Sequence, residues 1–289
     1  MENFSLNAIE DDVVNLYSIV NDFSNWHDNV YGQLQEKSNK KPTNKPGLAE
    51  CEIMTILLLF FKSKQKFFKH FYNHFKAYNQ KFFPKMPTYE RFMELRKRAF
   101  LKLVIFLKIL QAFSTNEVYV DSTPITVCHR KRRKQYKTLK LCATSACSTM
   151  GKFFGLKLHI AVDSRGNIFN FKFTTGKIDD RKVIADLLSN FTGTVLGDTG
   201  YISARLKELL CEKSINLVTR MRKNMKQQEL PQELDTKLKK RTFIESIFSL
   251  LKEMYFLESN YYRSKFGFLL RTICILITYQ MRPSKPHII

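Results

Sequence analysis

The sequence predicts an α/β fold, a mixed five-stranded sheet flanked by helices and preceded by an all-helical N-terminal domain. Three observations carry this reading. Residues 1 to 113 hold apolar residues at helical spacing almost throughout. From about residue 114 the apolar runs shorten and alternate with a period of two, as where Leu156, Leu158, Ile160 and Val162 interleave with Lys157, His159 and Ala161. Helical stretches such as RKVIADLLSNF separate those short runs. The expected division is a helical domain over 1–113 and an α/β domain over 114–289.

In the first part, LAECEIMTILLLFFKSKQKFFKHFYNHF carries an aromatic stripe of Phe67, Phe68, Phe71, Tyr72 and Phe75, read as core rather than as a base-stacking surface. After the breaker FFPKMP, Thr88 is placed to cap a helix from Tyr89 to about Leu110. The first half of that helix presents Arg91, Arg96, Lys97 and Arg98, either for a DNA groove or as a solvated basic face. Val118 to Val120 form a strand leading into Asp121. A basic connection, HRKRRKQYKTLK, brings Arg130, Lys131, Arg132 and Arg133 together. The alternating run at 156–162 and the Phe169, Phe171, Phe173 run flank the turn DSRGN as an antiparallel hairpin. TVLGD and INLVT form two further strands, with Ser203 capping the helix ARLKELLCEK between them. The stretch 220–241, basic and interrupted by Pro231, reads as a loop or small insertion that touches DNA.

The charge balance narrows the partner. Lys and Arg number 48 against 26 Asp and Glu, a formal net charge of +22 on 289 residues. Such an excess favours a polyanion through phosphate neutralisation and counterion release, and ranks nucleic acid above an anionic membrane. The longest apolar stretches, IMTILLLFF and LLRTICILIT, fall short of the roughly 20 residues that span a bilayer. The acidic N-terminus lacks the basic and apolar regions of a secretory signal, so the expected location is the cytoplasm. Six cysteines lie scattered without a C-x-x-C pair and read as free thiols. Cys128, His129, Cys142 and Cys147 match no common zinc spacing, and His70 with His74 lack a third ligand nearby in sequence.

Three acidic residues stand in distinct contexts: Asp121 in EVYVDSTPI, Asp198 in GTVLGDTGYIS and Glu245 in RTFIESIFSLLKEM. The first two end short apolar runs, where open α/β sheets bind ligands. On a helix from about Arg241 to Glu258, at about 100° per residue, Ile244, Ile247, Phe248, Leu251 and Tyr255 form the buried stripe. Arg241, Glu245 and Lys252 form one row at its border, and Glu253 faces solvent. Hard divalent cations prefer carboxylate oxygens, so gathered carboxylates in a basic chain imply metal-dependent chemistry on nucleic acid. Other readings stay open. Asp121 and Asp198 each suit a turn cap, and Glu245 suits an i, i+4 ion pair with Arg241. Asp179 and Asp180 precede a helix and are read as caps.

The stretches VDSTPITVCHRKR, STMGKFFGLKLHIAVDSRGNI and LGDTGYIS, with R-x3-E-x6-K at Arg241, Glu245 and Lys252, resemble the transposases of bacterial insertion sequences. More narrowly they are similar to the insertion-sequence nine-eighty-two family, a relative of the insertion-sequence-four group. GLAECEIMTILLLFFKS and PTYERFMEL resemble it too, so the likeness covers nearly the whole chain. The resemblance implies a ribonuclease H-like catalytic core with a DDE triad at Asp121, Asp198 and Glu245. It implies two Mg²⁺ ions on that triad, with Mn²⁺ as a substitute, and Arg241 and Lys252 as basic partners for transposon-end DNA. Two departures stand out: Leu238 replaces the tyrosine of Y-x2-R-x3-E-x6-K, and Thr199 stands where relatives often have Lys.

The resemblance thus implies a DNA transposase that cuts double-stranded terminal inverted repeats and joins the 3′-OH to target DNA. It would work as a homodimer on DNA in the cytoplasm, associated with the nucleoid. Arg96, Arg98, Arg130, Lys131, Arg132 and Arg133 are further expected DNA contacts, and Trp26 or Tyr201 is a candidate for stacking on a displaced base. The rival readings are a nuclease of the same core without strand transfer, and a non-catalytic DNA-binding derivative.

Overall fold

In a computed structural model of the chain, residues 6–35, 47–148, 151–221, 225, 230–259 and 261–288 are described. They form two compact units, Met1–Ile109 with Leu270–Thr278, and Leu110–Leu269 with Tyr279–Ile289. The apolar stretch at 270–278 thus groups with the first unit, whereas the expected boundary at 113 counted it with the second.

The first unit is helical: α1 (Leu6–Gln35), α2 (Glu50–Lys62), α3 (Phe68–Tyr78), α4 (Tyr89–Leu95) and most of α5 (Phe100–Leu110). Helix α2 is apolar on all sides, and every residue from Ile53 to Phe61 is buried. A helix of that composition belongs inside a core, where each fully buried Leu, Ile or Phe contributes about 1.5–3 kcal/mol. Phe71, Tyr72 and Phe75 are buried beside it, with the Tyr72 and Phe92 rings 4.7 Å apart, so this part of the stripe is core; Phe67 is exposed. Thr88 caps α4, its Oγ1 accepting from Arg91 N–H at 3.3 Å.

The single helix expected from Tyr89 to about Leu110 is in fact two. Between α4 and α5, Arg98 N–H donates to Leu95 O at 2.9 Å and Phe100 N–H to Lys97 O at 3.3 Å. This i→i+3 pattern tightens the chain and seats Ala99 in the interior.

The second unit is built on one sheet: β1 (Glu117–Thr126), β2 (Thr144–Ser148), β3 (Gly151–Val162), β4 (Ile168–Thr175), β5 (Gly193–Gly197) and β6 (Ile215–Thr219). The order is β2-β3-β1-β5-β6, and β4 also pairs with β3. β3 runs antiparallel to β1 and β4, while β5 is parallel to both β1 and β6. An antiparallel three-stranded meander followed by two parallel strands on the far edge of β1 is the ribonuclease H-like arrangement. The five expected strands are present. The sixth, β2, comes from small polar residues with little strand signal and is ordered by pairing along the start of β3.

Helices α6 (Ile184–Leu187) and α7 (Ala204–Cys211) cover one face, over Val118, Val120, Ala161 and Val195. Ser203 caps α7 by accepting from Leu206 N–H at 3.3 Å. The stretch expected to be a loop contains α8 (Gln232–Lys240), held by Lys237 on Glu117 at 2.7 Å. Residues 222–224 and 226–229 of that stretch lie outside the described residues. Helix α9 (Phe243–Ser249) comes next, and α10 (Lys265–Gln280) is the last element. Among the described residues no helix is long and apolar enough to cross a membrane.

Candidate functional site

The parallel pairing of β1 with β5 ends at Tyr119 opposite Leu196. Asp121 and Asp198 each lie two residues beyond that last pair, so both carboxylates stand where the β1–β5 pairing stops. Asp198 follows the end of β5, whereas Asp121 lies midway along β1, which continues to Thr126 on its pairing with β3 and does not end at Asp121 as the apolar run suggested. Asp198 also caps the 3₁₀ turn Thr199–Tyr201, its Oδ1 accepting from Thr199 N–H at 2.7 Å. Asp121 is only 23% exposed, and its Oδ1 accepts from Ser122 N–H at 2.8 Å.

Arg241 joins the two. Its Nη1 donates to Asp121 Oδ2 at 2.8 Å, and its Nη2 stands 3.8 Å from Asp198 Oδ1. The i, i+4 pair of Arg241 with Glu245 is therefore not what forms. Arg241 is the residue ending α8, before α9 begins at Phe243, so it does not share a continuous helical row with Glu245. Burial pushes the Asp121 carboxyl above its ordinary pKa; Arg241 and the Ser122 N–H pull it back, and the Asp198 charge adds to the rise.

Glu245 lies in the first turn of α9 and is exposed. Phe243, two residues earlier, packs edge-on against Tyr119 with ring centroids 5.2 Å apart. Tyr119 shares a sheet face with Asp121, so α9 starts over the face that presents Asp121. Ile244, Ile247, Phe248, Leu251 and Tyr255 are buried and Glu253 is exposed, as the helical projection anticipates. The helix becomes a π-helix over Leu250–Met254. Lys252, half-buried there, stands 3.6 Å from Glu258, which accepts from Thr126 N–H at 2.9 Å at the end of β1.

Asp121 and Asp198 offer hard oxygen donors around a shared positive group, a donor chemistry suited to Mg²⁺ or Mn²⁺. Glu245 does not complete the set in this arrangement: among the described residues, no three His, Cys, Asp or Glu side chains gather closely enough to hold a metal ion. That applies equally to the cysteine and histidine combinations; His70 and His74 are exposed, and Cys142 and Cys147 lie at the surface.

One acidic residue has a different setting from the one its sequence position suggests. Asp179 caps the turn Asp180–Lys182 as expected, accepting from Arg181 N–H. Asp180 does not use its side chain as a cap. Its Oδ2 accepts from Ser122 Oγ at 2.8 Å, and its Oδ1 accepts from Lys157 Nζ at 2.8 Å. Nothing local in the sequence distinguishes the two. The signal was the face sharing of Ser122, Lys157 and His159, which needs the β1–β3 register to be seen.

The basic candidates divide. Arg130, Lys131, Arg132 and Arg133 are all exposed, on a 3₁₀ turn capped by His129. Arg132 lines a cavity of about 380 Å³ together with Lys137, Arg263, Tyr136 and Tyr262. In the helical unit, Arg96 donates to Met93 O at 3.1 Å and burial lowers its pKa, while Arg98 stands 3.9 Å from Glu50. Arg96 is half-buried in its own unit, whereas Arg98 is exposed. Trp26 is exposed beside Phe23, whereas Tyr201 is buried against Gly197 and is not presented to a base.

The family described as Transposase DDE domain matches residues 111–265, more than half of the chain. Among solved structures, the chain is similar to a piggyBac transposase in a synaptic complex with hairpin DNA, at 12% identity and a TM-score of 0.36. That alignment covers 69% of this chain and 48% of the other, so the chain spans about half the length of that relative. It is also similar to the Mos1 transposase in a paired-end complex with the left transposon end, at 14% identity and a TM-score of 0.24, over 83% of this chain and 81% of the other. No curated protein matches.

Proposed function

The chain belongs to the Transposase DDE domain family, and from that premise we propose that it is a transposase acting on double-stranded DNA. In this reading it cuts the terminal inverted repeats of its own element and joins the freed 3′-OH to a target, with Asp121, Asp198 and Glu245 as the acidic triad. The observation that carries it is the meeting of Asp121 and Asp198 on Arg241 where the parallel pairing of β1 with β5 stops. The narrower kinship, to the insertion-sequence nine-eighty-two family of bacterial elements, rests on the VDSTPITV and LGDTGYIS motifs.

The residues that would hold a divalent cation are Asp121 and Asp198; Glu245, exposed in the first turn of α9, would have to close on them to complete the triad. When bound, Mg²⁺ or Mn²⁺ supplies positive charge to the phosphodiester oxygens and lowers the pKa of the attacking water or 3′-OH. The chain's own residues do the rest. Ser122 N–H orients the Asp121 carboxylate, and Arg241 offsets the repulsion between two acids at one strand edge. Arg130 to Arg133, Lys137 and Arg263 form an exposed basic surface suited to DNA phosphates, which position a duplex without reading its sequence. The helical N-terminal part would add a second DNA contact, and a homodimer would bring two ends together. Cytoplasmic residence on the nucleoid accords with that substrate.

Incubating the protein with Mg²⁺ and duplex DNA carrying the sequences that flank its own gene tests the reading. Cleaved ends and joined products are expected, and both should vanish in Asp198→Asn. Cleavage without joining would assign a nuclease of the same core. Full activity in Asp198→Asn would overturn the site.

A further inference from the structure

We propose that Asp180 is a positioning residue for Asp121, acting through Ser122. The inference rests on the reading of Asp121 as a reacting-site carboxylate, and adds a residue that lies outside the acidic triad.

The β1–β3 register explains how the relay forms. Ser122 pairs with His159 and Pro124 with Lys157, so Ser122, Lys157 and His159 project from the sheet face opposite to Asp121. Asp180 arrives over that face from the turn after β4. Its two oxygens are held separately, Oδ2 by Ser122 Oγ and Oδ1 by Lys157 Nζ, each at 2.8 Å. His159, 1% exposed, lies 3.8 Å from Oδ1, and its Nε2 is fixed 2.8 Å from Thr174 Oγ1.

Ser122 therefore bonds two carboxylates at once. Its hydroxyl donates to Asp180 and its backbone N–H donates to Asp121, both at 2.8 Å. Fixing the hydroxyl fixes the rotation of the peptide that aims Asp121, from the side that Arg241 does not reach. The Asp180–Lys182 turn also packs against the Thr199–Tyr201 turn that Asp198 caps, so the same segment braces both aspartates. A merely structural ion pair between Asp180 and Lys157 would need neither link.

The test uses the full chain with duplex DNA flanking its own gene, and four readouts: single-turnover cleavage with Mg²⁺, DNA affinity, thermal unfolding, and hydrogen-exchange protection of the Ser122 amide by NMR. Asp180→Ala should slow cleavage about tenfold to 100-fold, the range seen when a ligand's supporting partner is removed, with DNA affinity unchanged. Asp180→Asn, whose amide oxygen still accepts from Ser122, should recover most of the rate. Ser122→Ala should match Asp180→Ala, and the double variant should lose no more than either single one. Protection of the Ser122 amide should drop in Asp180→Ala, a readout that does not depend on activity. An unchanged rate in Asp180→Ala, multiplying losses in the double variant, or unchanged amide protection would overturn the proposal. Full cleavage in Asp121→Asn would sink the functional reading instead, leaving the amide measurement to judge the relay alone.

Discussion

Arg241 and Asp121, 120 residues apart in sequence, are joined by a 2.8 Å charge-assisted hydrogen bond, and the same guanidinium stands 3.8 Å from Asp198. Arg241 is 14% exposed and Asp121 23%, so the pair is shielded more than a surface ion pair. Removing the cation leaves two acids at one strand edge. Arg241→Ala should cost about 1–3 kcal/mol in urea unfolding at pH 7. Arg241→Lys should recover only part of it, because one ammonium cannot span both carboxylates as a planar fork does. Asp121→Asn should retain the fold, since it removes a buried charge, while cleavage disappears. A full-strength fold in Arg241→Ala would show the contact to be incidental.

Buried His159 predicts a defined acid sensitivity. Burial lowers its pKa to about 4, helped by Lys157 and Lys172, while Asp180 pulls the other way. In the unfolded chain the imidazole titrates near 6.5. Between those values the unfolded state binds a proton that the folded state refuses, so stability should fall as pH drops from about 6.5 to about 4. Above 6.5 this group contributes no slope. Asp179, lowered to about 2 chiefly by its hydrogen bond from Arg181, acts in a separate window below the ordinary carboxylate range. Thermal unfolding across pH 4 to 7 should show the loss in the wild type and a flatter profile in His159→Gln.

Gly155 marks a close approach between β3 and the end of β1. A Cβ there would meet Ile125 O at 2.0 Å, a contact with backbone that no rotamer change relieves. Gly155→Ala should destabilise by about 1–3 kcal/mol, as overpacking does. Because β1 carries Asp121, a shift of its far end should also slow cleavage. Calorimetric unfolding together with a cleavage time course would check both effects.

The cations around the 380 Å³ cavity should behave as phosphate contacts. Arg132→Ala, Lys137→Ala and Arg263→Ala should each weaken DNA binding to a similar degree across unrelated duplexes. Removing one such cation should reduce the slope of log affinity against log salt by about 0.9. Arg96→Ala should instead lower the stability of the helical unit, since that side chain is engaged in packing. Anisotropy titrations at several salt concentrations separate the two outcomes.

Much of the fold was legible because its signals are local. Period-two alternation marked β3 and β4, Thr88 and Ser203 announced helix starts, and Asp121 and Asp198 stood at the ends of short apolar runs. The misses came where distant pairing overrides local preference. β2 forms only because β3 offers an edge, and the helix after Tyr89 breaks where Ala99 enters the core. The projection ran one regular helix from Arg241 to Glu258, whereas Arg241 caps the end of α8, α9 begins at Phe243, and the turn widens to a π-helix over Leu250–Met254.

By itself the sequence determined the basic character of the chain, the positions of β3 to β6 and most helices, and that Asp198 follows a strand. Each of these depends on residues within a few positions of one another. Only the tertiary structure decided that β1 runs on past Asp121 to Thr126, that Arg241 bonds Asp121 rather than Glu245, and that Asp180 bonds Ser122 and Lys157 rather than capping a helix. The physical reason is register: pairing Ser122 with His159 and Tyr119 with Leu196 sets which side chains share a face, and hydrogen bonds of under 3 Å can form only between groups that the register has already brought together.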